Sequence, residues 1–310
     1  MNHTSSTAVD RRPTRGRAGA VLGVTALVAA AALVATAPAR AEPLASPTQA
    51  HTVDITGSDY QFAIDTHGAV PAGLVQLNFT DSGPAAHQAQ LFRLNDGVTF
   101  AKFVADLATD RATATSVDSL SAGGVGDLAA PGERSIYQAM QGGTYAVISM
   151  VTDSNNTPDF AKGMVAQFTV TGHLTPQQLA ALHPAGPVAG VVTANTLSYS
   201  VPPVLAAGAL YRYQDADTQS VHEFLVGRLL PGVTAADAKA WFATLTAPGG
   251  PSGPQPFVDA GGYGGVAPGT GGWFCVNMEP GNYVAFDLAP NITTGAPNAT
   301  LGMVTGFTVA

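Results

Sequence analysis

Two histidines and two methionines hold matching places in this chain, and they are the side chains best suited to chemistry. His87 and His222 each open an apolar run, while Met164 and Met303 each follow a glycine at the start of a strand-like segment. An imidazole beside a thioether suits a soft cation such as Cu(I), and Met150 is a further thioether for the first set. The same residues have a plainer use. An imidazole can tie a strand end to backbone, and methionine fills irregular gaps in cores. Two ligands alone hold a metal weakly. Catalytic patterns are missing: there is no Gly-x-Ser-x-Gly elbow, no His-Glu-x-x-His helix and no phosphate-binding glycine loop following a strand. The runs Gly123–Gly126 and Gly261–Gly265 read as flexible connections.

The match between these places extends along most of the chain. His87, Arg93, Leu94, Gly97, Val98 and Thr99 lie over His222, Arg228, Leu229, Gly232, Val233 and Thr234 at a constant offset of 135. Small insertions then move the register. Ala130-Pro131-Gly132 meets Ala267-Pro268-Gly269 at 137, Gly143 and Tyr145 meet Gly281 and Tyr283 at 138, and Gly163-Met164 meets Gly302-Met303 at 139. The sequence therefore reads as one unit of about 130 residues written twice. Alternating apolar and polar residues predict strands over 53–64, 74–79 and 88–94, and over 191–201, 210–213 and 223–229. Further strands are expected at 145–151 and 164–170, and at 283–288 and 303–309. Thr99 and Thr234 cap one helical excursion in each copy. Arg93 and Arg228 are expected to pair with an acid or with loop carbonyls, and Tyr145 and Tyr283 to tie down turns through their hydroxyls. The expected organisation is a leader at 1–41, a first domain at 42–171, a linker at 172–190 and a second domain at 191–310.

Four arginines (Arg11, Arg12, Arg15, Arg17) precede the small, apolar run 18–37, and Ala39-Arg40-Ala41 supplies a cleavage site, the pattern of a secretory leader. The expected location is outside the cell or at its envelope, with no membrane span once the leader is cut. That segment holds five of the 13 basic and one of the 21 acidic side chains, leaving 8 basic, 20 acidic and a formal net charge of −12. Such a balance argues against a nucleic-acid partner. It leaves a small molecule, a metal or an envelope component as the kind of partner to expect. Cys275 is the only cysteine, so no disulfide within the chain is possible and each unit must be held by its core. Asn78-Phe-Thr80, Asn291-Ile-Thr293 and Asn298-Ala-Thr300 match the N-glycosylation pattern.

In the order of its elements each unit resembles a cupredoxin, the small sandwich that carries mononuclear copper. The resemblance implies an all-β fold: two tandem Greek-key β-sandwich domains, each with one short helical insertion. It places His87 and His222 at the first copper ligand and Met164 and Met303 at the axial one. The thiolate position, four residues after the turn tyrosine, is taken by Ser149 and Asp287, and no second histidine stands between it and the methionine. A type 1 site needs two imidazoles and a thiolate. The expectation is a secreted binding or structural module without enzymatic activity and without a cofactor. Its alternative is a Cu(I)-handling protein using His87/Met164 and His222/Met303.

Overall fold

Strands form where one face of the chain is apolar and the next residue is not. The computed structural model describes residues 48–310, so the expected leader at 1–41 lies outside the described residues. The first half runs β1 (His51–Ser58), β2 (Gln61–Asp65), β3 (Val70–Pro71), β4 (Gly73–Asp81), β5 (His87–Leu94), α1 (Phe100–Thr109), α2 (Arg111–Ser116), β6 (Ser119–Leu128), β7 (Gly132–Met140), β8 (Gly143–Ile148) and β9 (Val165–Thr171). After α3 (Pro176–Ala180) the second half follows: β10 (Val188–Asn195), β11 (Ser198–Ser200), β12 (Val204–Leu205), β13 (Leu210–Asp215), β14 (His222–Leu229), α4 (Ala235–Phe242), β15 (Phe257–Val266), β16 (Gly271–Cys275), β17 (Gly281–Phe286) and β18 (Val304–Val309). A 3-10 turn precedes the last strand of each half, at Asp159–Lys162 and Asn298–Leu301. The fold is all-β, and the long strands expected at 53–64 and 191–201 are each folded into a hairpin, β1–β2 and β10–β11.

The strands build two sheets. One has the order β11-β10-β13-β16-β7-β4-β1-β2, the other β12-β18-β17-β14-β15-β6-β5-β8-β9-β3. Matched by place in each half, both orders read the same from either edge. Both sheets also continue from one half into the other, through β16–β7 and β15–β6. At this seam Phe274 pairs with Ile136 and Tyr263 with Val125. Both pairs join positions 138 apart in sequence, so the halves meet about an approximate two-fold axis through the two sheets.

The glycine runs correct the sequence reading. They are not loops but the middle of β6 and β15, the strands that make the seam. A Cβ on Gly124 (φ +119°) would lie 2.1 Å from the Ala89 carbonyl oxygen, and one on Gly262 (φ +106°) 2.0 Å from that of Phe224. Glycine is required there because β5 and β14 bulge and approach too closely for any side chain.

One apolar core runs between the sheets across both halves and includes Leu91, Val125, Phe224, Tyr263 and Phe274. Two smaller clusters sit outside the ten-stranded sheet. α1, capped by Thr99, brings Phe103 and Leu107 onto Phe92 and Ile148. α4, held by reciprocal bonds between Thr234 and Asp237, brings Phe242 onto Phe257 and Phe286. Among the described residues, no helix is long and apolar enough to cross a membrane.

Candidate functional site

The side chains singled out in the sequence gather at one end of each half. In the first, His87 begins β5 and is buried. Its Nδ1 lies 2.9 Å from Asp81 Oδ1, and its backbone N–H donates to Asp81 Oδ2 at 2.9 Å. The ring of Tyr60 meets it edge-on, with centroids 6.1 Å apart. Ser149, just past β8, donates from Oγ to Asp159 Oδ2 at 2.9 Å and accepts the Gln88 N–H at 3.2 Å. Met164 is fully buried, its N–H donates to the Asp159 carbonyl, and its own carbonyl accepts the Ser149 N–H. Burial pushes the Asp159 carboxyl up, opposed by Ser149, His87 and Lys162. Lys162 lies 3.0 Å from Asp153 Oδ2 and 4.3 Å above the Tyr60 ring.

In the second half His222 begins β14 and has a carboxylate at each ring nitrogen: Asp287 Oδ2 at 2.6 Å from Nδ1 and Asp217 Oδ2 at 3.4 Å from Nε2. Its backbone N–H donates to Asp215 Oδ2. Asp287 also accepts the Asn298 amide at 3.0 Å and the Ala289 N–H at 2.8 Å. Burial works against a charge on His222, yet Asp287 prevails and its titration moves up. Burial raises the Asp287 carboxyl despite the imidazole, and raises Asp215 to about 6. Asp217 is held down at about 2: burial pushes it upward, but the N–H groups of Gln219 and Ser220 and the His222 ring outweigh it. Glu223 is pushed well up by burial and by Asp287.

The two ends differ by an exchange of acid between two places. The place four residues after the corner tyrosine and the first residue of the 3-10 turn hold Ser149 and Asp159 in one half, Asp287 and Asn298 in the other. Each pair is hydrogen-bonded within itself, so one buried carboxylate is kept and its location changes. His87, His222, Met164 and Met303 stand out in the sequence, whereas Asp81, Asp215, Asp217, Asp159 and Asn298 join them only in the folded chain. A usable signal existed: Asp81 and Asp215 stand six and seven residues before the two histidines. Asn298 also heads a glycosylation pattern, yet it is fully buried and bonded, which removes it as an acceptor.

These donors do not fit a type 1 copper centre. Each half offers one imidazole whose Nδ1 is already within hydrogen-bond distance of a carboxylate, no thiolate, and a methionine sealed in the core. Among the described residues no group of three or more His, Cys, Asp or Glu side chains is placed to hold a metal ion.

The paired arginines and tyrosines behave as the sequence leads one to expect. Arg93 donates twice to the Gly142 carbonyl, and Arg228 donates to that of Pro280. The Tyr145 hydroxyl donates to the Gln141 carbonyl at 2.8 Å and Tyr283 to that of Glu279 at 2.7 Å. Tyr145→Phe is expected to cost about 1–2 kcal/mol, because the Gln141 N–H also loses its acceptor. Thermal melts of that variant, of Tyr283→Phe and of the double variant should show additive losses, since the two corners are far apart.

The fold and these end clusters define an all-β pair of packed sheets with a buried carboxylate–imidazole pair at one end of each half. Solved structures similar to the chain include an auracyanin B, at 16% identity and TM-score 0.26, over 40% of this chain and 91% of that one. Another is the dithionite-reduced auracyanin from the photosynthetic bacterium Roseiflexus castenholzii, at 18% identity and TM-score 0.27, over 40% of this chain and all of that one. A multicopper oxidase is similar over 84% of this chain and 88% of its own, at 16% identity and TM-score 0.22. These similarities bear on the fold alone. No protein-family model and no curated protein sequence matches the chain. The expectation of a protein without enzymatic activity does not stand, since an enzyme, the multicopper oxidase, is among these similar structures.

Proposed function

We propose that this is an exported, duplicated cupredoxin-like protein whose copper positions have been rebuilt as buried acid–imidazole networks, and that it serves as a binding module outside the cell or at its envelope. The observation that supports this is the closure of Asp287, at the place the resemblance gives to the thiolate, on His222 Nδ1 at 2.6 Å. Duplication is supported by the pairing of positions 138 apart at the seam. Export is supported by the arginine-led apolar segment and Ala39-Arg40-Ala41. The net charge of −12 beyond that segment favours a partner other than nucleic acid.

Copper titration tests the reading. Purified chain lacking residues 1–41 is mixed with Cu(I) under a competing chelator, and with Cu(II) while the visible spectrum is recorded. The expected result is no retention of Cu(I) and no intense visible band. Tight Cu(I) binding that disappears in the His87→Ala/His222→Ala double variant would replace this proposal with Cu(I) handling through His87/Met164 and His222/Met303.

A further inference from the structure

The seam carries two carboxylates that neither fold nor ligand positions explain. Asp127 lies on β6 and Asp259 on β15, strands that belong to different halves. The antiparallel register sets Ala260 against Leu128, which puts Asp127 opposite Gly261 and Asp259 opposite Ala129. The two acids are therefore diagonal neighbours on one face of the seam, within reach of each other. Asp259 accepts only the Gln255 amide, at 3.2 and 3.3 Å, and no hydrogen bond supports Asp127.

The surrounding charges are acidic as well. Asp159 of the 3-10 turn acts on Asp127 as a further negative charge, and Asp127 does the same to Glu223 of β14. From β5 comes the neutral Gln88, whose Oε1 is spent on the Met150 N–H. The nearby cations are engaged elsewhere: Lys162 with Asp153 and Asp159, and Arg134 of β7 with the carbonyls of Ala260 and Glu133. Two ionised carboxylates here would face each other across the junction without a counter-charge.

We propose that Asp127 and Asp259 form a proton-dependent latch, which keeps the halves closed while the pair is protonated and loosens the seam when both acids ionise. Burial, then Asp259 and Asp159, push Asp127 up to about 8, and burial raises Asp259 to about 6. An unfolded or opened chain releases these protons near the ordinary value of 3.8. The closed seam thus binds more protons, and its stability falls as pH rises from about 4 to about 8 and then levels.

Amide exchange in the full chain reads this directly. The Ala129 N–H crosses the seam to the Asp259 carbonyl, whereas the Asn95 N–H bonds to Asp118 within the first half. Protection, corrected for the intrinsic effect of pH on exchange, is compared at about pH 6 and about pH 9 in wild type, Asp127→Asn and Asp259→Asn. The expected result is a fall of about tenfold at Ala129 in wild type, a smaller change at Asn95, and no fall at Ala129 in Asp127→Asn. Asp259→Asn should flatten the response too, and it stands in should Asp127→Asn not fold. Wild-type protection at Ala129 that does not change between the two pH values overturns the latch, as does a fall of full size in the variants.

Discussion

Gly262→Ala is expected to cost more than about 4 kcal/mol or to prevent folding, which places it among the most damaging single methyl additions available in this chain. The added carbon would stand 2.0 Å from the Phe224 carbonyl oxygen, and backbone cannot swing aside as a side-chain tip can. It would also force a positive φ of +106° on an L side chain. Gly208→Ala separates the two effects, since it shares a positive φ of +74° but has nothing within 4 Å. That control should lose only about 1–2 kcal/mol, the conformational part. Chemical denaturation of both variants gives the comparison. Equal losses would remove the argument that close approach of β14 and β15 dictates glycine.

Asp287→Ala should destabilise the second half by about 3–5 kcal/mol, because it leaves a buried imidazole facing a void and strips partners from three further groups. The Asn298 amide and the N–H groups of Ala289 and Glu223 all donate to this carboxylate. For a chain of this size the thermal midpoint should drop by about 10 °C. Asp287→Asn keeps the shape and most acceptors, so its loss should be near half of that. Asp287→Cys places a thiol at the position that the cupredoxin resemblance gives to the thiolate. It should nevertheless stay colourless with Cu(II), since each half supplies only one imidazole. An intense blue band in that variant would show that another residue completes the site.

Much of the fold was legible because it is written in local rules. The period-two alternation locates most strands, the threonine caps locate α1 and α4, and turn chemistry locates the Tyr145 and Tyr283 corners. The seam was not legible. Glycine-rich strings have no side-chain pattern to read, and what makes Gly123–Gly126 and Gly261–Gly265 strands is the backbone on either side of them. The end clusters were half legible. His87 and His222 stand out because they recur, whereas the carboxylate that moves from Asp159 in one half to Asp287 in the other has no constant address for an alignment to find. Its constancy is chemical, and only packing reveals it.

The residues on the approximate two-fold axis are unequal, and that inequality has a use. Two separate copies of one chain meeting this way would have to present the same side chain to itself at the centre of each sheet. Two tyrosines at the Val125/Tyr263 place would compete for one space, and two valines would underfill it. A single chain escapes this restriction. It sets Tyr263 against Val125 and Phe274 against Ile136, and gives the one hydroxyl that results its own acceptors on Gln138 and the Tyr137 carbonyl. Joining the halves covalently therefore permits a complementary large-and-small fit at the junction that symmetry forbids to a pair of identical subunits.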